Sequence, residues 1–407
     1  MHLVSPKLPT ILDHHQTTVD LPGIDLLLVY VDNVHVLPGK IGLERFNNAL
    51  SDTLQLYPHA AGQLRCQNGR WFIELTNTPV PVDVSYIQEK DSSSVLQNDW
   101  VIQEDLSSLL HHQPVDANPI NGTVPLVRFK LTFFMDETCI GISWHHALAD
   151  GIGLFRFTHT LSQFYQDKAI TPDRDAYTFT YVDDTYVEAN KSAENLQWRF
   201  SGEELRRLHT ITNSSGQQAL TIQDCLTAYL VTVLNRCREE PIRIINNVVS
   251  YRKVIAPFVD ENVAGNASLF IFTQQLPLDM VGIANAIRTS ILRSRDAQEL
   301  EYYLSTASDS MLTAANLGKW FCFTSDDMMG VNSNSRIDWC SAHFGFPDGS
   351  KFHTIGVYNI FVRPFISNPV KGVDGIWHSR QDSIDVSMGV SAGLKSRMLD
   401  ILARGVE

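Results

Sequence analysis

No stretch of this sequence reaches the roughly 20 consecutive apolar residues that a membrane span needs, so a membrane-spanning helix is not expected. Cysteine is scarce and dispersed. The six (Cys66, Cys139, Cys225, Cys237, Cys322 and Cys340) form no C-x-x-C pair, and several sit in apolar segments. Reduced, buried thiols of a cytoplasmic protein are the expectation, not a disulfide framework. Positive charge is short as well: 32 Lys+Arg stand against 45 Asp+Glu, a net charge of -13. An acidic chain repels phosphate backbones, which argues against nucleic acid as a partner but leaves room for a local basic patch. The opening residues lack a charged segment followed by an apolar core, so no secretory leader is expected. The N-x-S/T sequons at Asn121, Asn190, Asn213 and Asn266 then read as chance matches. Internal repeats and low-complexity segments are missing too.

What is present is an ordinary globular composition, 44% hydrophobic and 19% charged. A chain of 407 residues is long for one core and comfortable for two. Residues 26–31, LLLVYV, predict a buried strand. Residues 41–56 place Leu43, Phe46, Leu50 and Leu54 at helical spacing and should stop before Pro58. Residues 126–134 and 139–144, with MDET between them, predict a hairpin whose second strand is buried. A helical period resumes over 152–165. Ser201 with Glu204 has the capping-box pattern, and Thr221 with Asp224 marks a second capped helix over 221–235. Strands follow around 243–251 and 267–276, a helix over 281–295, and strand-like pieces at 354–362 and 383–391. The mixture predicts α/β in both halves. The expected division is a first domain over 1–175, a crossover linker over 176–200 and a second domain over 201–407. Part of 345–380 is expected to pack with the first domain.

The chemistry concentrates in 141-GISWHHALADGIGLFRF-157. His145 and His146 close an apolar strand, and Asp150-Gly151 opens the next helix. A histidine at a strand end is commonly structural. Loops on a rigid scaffold, however, are where chemistry is usually placed. Adjacent residues on a strand point to opposite faces, so the pair would not chelate one zinc ion as H-E-x-x-H does. The segment has Gly-x-Ser but lacks the closing glycine of a nucleophile elbow. A general base needs one imidazole only, poised near neutral pH and held in one tautomer. His146 suits that role, and Asp150 would need a cationic partner if buried.

His146-Ala-Leu-Ala-Asp150-Gly151 resembles the HxxxDG motif of the BAHD acyltransferases, in the wider superfamily of chloramphenicol acetyltransferase and peptide-synthetase condensation domains. Other segments agree in order: 57-YPHAAGQLR-65, 201-SGEELRRL-208, 223-QDCLTAYLVTV-233, 249-VSYRKVIAP-257 with Gly265-Asn266, and 331-VNSN-334 ahead of 343-HFGFP-347. The resemblance covers nearly the whole chain.

It implies an α/β fold of two chloramphenicol acetyltransferase-like domains with a channel between them. Acyl-CoA is then a co-substrate, with no permanently bound cofactor and no metal. The acyl group, acetyl by expectation, passes to a hydroxyl or amine of a small specialised metabolite. The resemblance makes His146 the general base of a ternary-complex mechanism without an acyl-enzyme. It makes Asp150, Gly151, Arg252 and Gly345 structural supports, with Asp150 paired to Arg252. Ser333 and Asn334 match the stretch that contacts coenzyme A; Arg288, Arg293 and Arg295 are further candidates for its phosphates. His145 is expected to be packing. The family's DFGWG is HFGFP here, so Phe346 offers no N–H where a tryptophan would. A monomer is the default, because the fold completes its site within one chain. The alternatives are a stand-alone condensation-type domain with carrier-bound donors and a non-catalytic, ligand-binding relative.

Overall fold

The computed structural model describes residues 1–7, 17–87, 89–96, 98–112, 118–168, 193–213, 218–259, 265–319 and 327–405. In chain order the strands are β1 (His2–Val4), β2 (Thr18–Asp20), β3 (Tyr30–Leu37), β4 (Gln63–Gln67), β5 (Arg70–Glu74), β6 (Val80–Ile87), β7 (Val127–Phe134), β8 (Thr138–His145), β9 (Glu194–Phe200), β10 (Ile244–Ser250), β11 (Ser268–Thr273), β12 (Met328–Asn332), β13 (Lys351–Thr354), β14 (Phe361–Ile366), β15 (Val370–Lys371), β16 (Trp377–His378) and β17 (Ile384–Val390). The helices are α1 (Leu43–Leu56), α2 (Gly151–Tyr165), α3 (Gly202–Asn213), α4 (Ile222–Cys237), α5 (Met280–Arg293), α6 (Ala297–Asn316) and α7 (Ala392–Leu402). None is long and apolar enough to cross a membrane.

Two six-stranded sheets carry the architecture. The first runs β1-β6-β7-β8-β3-β13 and the second β11-β10-β12-β14-β17-β9. In the first, β8 is central and antiparallel to both β7 and β3. Its period-2 alternation decides what each side chain meets. Ile140, Ile142 and Trp144 enter a core shared with Phe46 and Leu50 of α1 and Leu154, Phe157 and Leu161 of α2. Cys139, Gly141, Ser143 and His145 face the other way. Gly141 is required there: a Cβ would collide with the Leu109 carbonyl. The second core gathers α4, α5 and α7 on Met329, Val331, Val362, Val386 and Met388.

Local chemistry sets most boundaries. Thr221 and Asp224 form a reciprocal capping box on α4, and Ser201 with Glu204 does the same ahead of α3. Helix α1 ends before Pro58 as the sequence predicts. Three departures matter. The strand expected at 26–31 begins only at Tyr30, because 23–25 form a 3-10 turn that α6 packs against. Residues 354–362 do not form one strand: β13 pairs with β3 in the first sheet and β14 joins the second. Residues 194–200, inside the expected linker, are strand β9 at the edge of the second sheet; positions 176–192 of that linker lie outside the described residues. The long helix α6 was not anticipated.

Candidate active site

Asp150 organises the site. It is the N-cap of α2, where its Oδ1 accepts from the backbone N–H groups of Ile152 and Gly153, both at 3.1 Å. Arg252, just after β10, reaches it from the second sheet with two parallel bonds: Nη1 to Oδ2 at 2.8 Å and Nη2 to Oδ1 at 3.0 Å. Ala267 N–H and Ser268 Oγ–H each donate to Oδ2 at 3.1 Å. Both side chains are nearly sealed, at 4% and 8% exposure. Burial pushes the Asp150 carboxyl up, but the guanidinium and these donors outweigh it and hold it below the usual carboxylate range. Asp150 is therefore an anion that ties the start of α2 to the second sheet. It has no free lone pair with which to relay a proton.

His146 follows directly from the end of β8. Its backbone N–H donates to Val29 O at 2.7 Å, and its carbonyl accepts from Asn266 Nδ2 at 2.9 Å. The ring keeps partial exposure, while Nδ1 is enclosed and makes no hydrogen bond. Burial, the largest influence, pushes its pKa below the usual histidine value against the opposing pull of Asp150, its own backbone and Asn266. At neutral pH the imidazole is unprotonated and able to accept a proton.

His145 is different. It is fully buried, its Nδ1 accepts from Ala147 N–H at 3.3 Å, and its ring meets Tyr30 edge-on at 4.9 Å. Burial pushes its pKa down to about 3. It is a neutral packing group.

Two residues that sequence reasoning missed complete this centre. Asp25, 1% exposed, accepts from the Asn266 backbone N–H at 2.8 Å and from Asn266 Nδ2 at 3.0 Å. Burial, only partly offset by Asn266, raises its pKa to about 7. Asn266 had been noted only beside Gly265 and as a sequon. The one signal for Asp25 was an acidic residue inside an otherwise apolar run, LPGIDLLLV.

The other expected site residues separate into two groups. Gly151 and Asn334 are neighbours: a Cβ on Gly151 would lie 3.6 Å from Asn334 Oδ1. Ser333 Oγ donates to Gln223 Oε1 at 2.7 Å and touches Ser335 Oγ at 2.8 Å, so its hydroxyl is already engaged at the start of α4. Gly345 lies elsewhere. Its φ is +98°, a conformation that glycine adopts freely. The adjacent Phe344 N–H donates to Ser162 Oγ, and the Phe344 ring packs on Phe46 and Tyr165. Ser162 is near the far end of α2, roughly 18 Å along that helix from Asp150 at 1.5 Å per residue. Phe346 fills the space beside Gly39. HFGFP is thus a packing motif against the first core, away from His146.

Of the arginines, Arg288 is held by Asp224, with Nε to Oδ2 at 2.9 Å, and by Thr221. Arg293 is paired with Glu299. Arg295 is paired with no carboxylate among the described residues. Partial burial, then the nearby Arg288 and Arg336, holds its pKa below the usual arginine value. Arg336 adds a cation that sequence reasoning did not single out.

With this geometry in place, the comparisons with known proteins are informative. Residues 10–180 match the family described as Transferase family. Among solved structures, vinorine synthase aligns over 100% of this chain and 97% of its own, at 14% identity and a TM-score of 0.73. TRI101 of F. sporotrichioides, crystallised with coenzyme A and T-2, aligns over 96% and 99%, at 14% identity and 0.69. VibH, a peptide-synthetase condensation enzyme, aligns over 93% and 92%, at 14% identity and 0.55. A search of curated protein sequences gives no match. The fold is that of the two-domain acyltransferases, and the first part of the chain carries the sequence signature of a transferase family. The resemblance to the BAHD acyltransferases read from the motifs agrees with the transferase-family match over the first part of the chain and with the fold of these neighbours.

Proposed function

We propose that this protein transfers an acyl group from coenzyme A to a hydroxyl or amine of a small metabolite, with His146 as general base. One observation carries the reading: a partly exposed His146, whose pKa burial holds down, lies on a loop fixed by a carboxylate–guanidinium pair that joins the start of α2 to the second sheet. With Nδ1 enclosed, Nε2 is the nitrogen open to substrate. It takes the proton of the acceptor as the acceptor oxygen or nitrogen attacks the thioester carbonyl. The C–S bond then breaks and the coenzyme A thiolate leaves, receiving that proton. Two substrates held in one site need no acyl-enzyme, because orientation does much of the work.

Arg295 and Arg336, which have no carboxylate partner among the described residues, support the coenzyme A side of the reading, since they offer charge to its phosphates. Asn334, beside the start of α2, supports a thioester arm that passes close to Gly151. Among the structural neighbours, TRI101 was crystallised with coenzyme A, which agrees with the donor proposed here. Acetyl is the donor group expected first, and the remaining reach of the proposal is a soluble, monomeric enzyme of specialised metabolism.

The test is thiol release from acetyl-CoA and longer acyl-CoA donors with pooled alcohol and amine acceptors. Acceptor-dependent release that His146→Ala abolishes is the expected result. Absence of release with every donor, together with no coenzyme A binding by calorimetry, overturns the reading.

A further inference from the structure

On the first sheet, the face opposite the helices is polar where exposure would not explain it. The register aligns Asp32, Ser143 and Arg128 in one row across β3, β8 and β7, with Tyr30 and His145 in the next row. Asp32 is satisfied locally: Ser143 Oγ donates to its Oδ1 at 2.6 Å. Arg128 is not. It is only 4% exposed, yet no carboxylate lies within ion-pairing distance among the described residues. Its one close partner among the described residues is the Tyr30 ring, 4.3 Å below the guanidinium. Nε is sealed from solvent without a hydrogen bond, so the small exposure that remains belongs to the terminal nitrogens. Burial, more than any neighbour, lowers its pKa.

An unpaired buried guanidinium is costly, and arginine is almost never buried without a partner. The nearby groups do not relieve it. Asp83 faces His111 at 3.5 Å. Asp32 sits across the intervening strand, with Ser143 between them. Yet Arg128 touches Tyr30, and Tyr30 touches His145, the residue next to His146. The guanidinium is thus two ring contacts from the residue that precedes His146.

We propose that Arg128 is the recognition site for a carboxylate carried by one of the two substrates. This rests on the acyl-transfer reading of His146 and names a substrate feature for the same site. A planar carboxylate matches the fork of the guanidinium. It also supplies a counter-charge that the described residues do not. The Tyr30 ring beneath the guanidinium fixes the plane in which that carboxylate docks.

Wild type is compared with Arg128→Gln and Arg128→Lys in two arms. The first uses acetyl-CoA with 3-hydroxybenzoate or its methyl ester as acceptor. The second uses benzyl alcohol with malonyl-CoA or acetyl-CoA as donor. Expected is a preference of about tenfold or more in kcat/KM for the carboxylate-bearing compound in one arm. That arm identifies which substrate carries the group. Arg128→Gln abolishes the preference by lowering kcat/KM for the carboxylate-bearing compound; Arg128→Lys retains part of it. Melting temperature supplies the folding control: Arg128→Gln melts at or above wild type, because an unpaired buried charge is removed, whereas a structural arginine would lower it. Calorimetry with the same four compounds separates the two readings. A carboxylate preference in binding without any turnover leaves the Arg128 proposal standing and removes acyl transfer. No preference in either arm, by rate or by binding, overturns the Arg128 proposal.

Discussion

Asn266 Nδ2 donates one hydrogen to Asp25 Oδ1 at 3.0 Å and the other to the His146 carbonyl at 2.9 Å. A residue of the second half thereby holds the backbone of the candidate base against a carboxyl near the start of the chain. Asn266→Ala keeps the backbone bond to Asp25 but frees the His146 carbonyl. Because a misplacement of about 1 Å can cost 10²-fold, kcat should fall roughly 10–100-fold with little change in the KM for acyl-CoA. Asp25→Asn keeps an acceptor oxygen and should lose much less. Steady-state kinetics checks both. Equal losses in kcat and in coenzyme A affinity would show that Asn266 shapes the donor site instead.

Asp25 also predicts how stability depends on pH. Its folded pKa is raised from 3.8 to about 7, so its contribution is fully present below pH ~4 and is lost as pH rises through 7. The size is on the order of 4 kcal/mol at full ionisation. Asp150 works in the opposite sense, since its pKa is depressed and its contribution is lost on acidification. Arg252 and Tyr251 are the other charged or titratable groups facing Asp25. Asp25→Asn should flatten the decline between pH 4 and 7. Melting curves across that range test it; an unchanged slope would mean that another group carries the proton.

Breaking the buried pair should be expensive. Arg252→Ala leaves Asp150 charged and largely unpaired, at a cost of about 3–5 kcal/mol. Arg252→Lys should recover only part, because one ammonium cannot make the two parallel bonds. Urea denaturation measures both.

The pH dependence of activity follows from His146. Burial holds its pKa below the ordinary histidine value, and the base must be unprotonated to work. kcat/KM should stay flat through neutrality and fall only below the usual histidine range. A limb centred at or above pH 6.5 would contradict the assignment.

Arg288 and Arg295 should separate cleanly. Arg295→Ala, and Arg336→Ala with it, should raise the KM for acyl-CoA several-fold without altering stability, as exposed substitutions usually change it by less than about 0.5 kcal/mol. Arg288→Ala unpairs a buried Asp224 and should lower the melting temperature instead. If Arg288→Ala leaves melting unchanged and raises KM, the phosphate assignment moves to that residue.

Much of the site was legible before any fold was known, and the reason is local. HxxxDG keeps His146 and Asp150 four residues apart, a strand end and a helix N-cap, so the chain needs only neighbouring residues to set their relation. Helix starts at Ser201 and Thr221 were legible for the same reason: a cap and its partner are three residues apart. The Asp150–Arg252 pair was legible through a resemblance of motifs and not through chemistry, since the two lie 102 positions apart.

Tertiary structure decided the rest. Whether an arginine is free or spoken for depends on what folds beside it: Arg288 found Asp224 across helices, Arg295 found no carboxylate among the described residues, and Arg128 was buried in a sheet row whose carboxylate already served Ser143. The split of 354–362 between two sheets depends on β3 offering an edge to β13. Asp25 reads in sequence as one polar residue in an apolar run. Only burial against Asn266, 241 residues away, gives its carboxyl a task. Local sequence sets what each short segment is able to do. Desolvation and long-range pairing, which exist only once the chain is folded, settle which charges remain for a substrate.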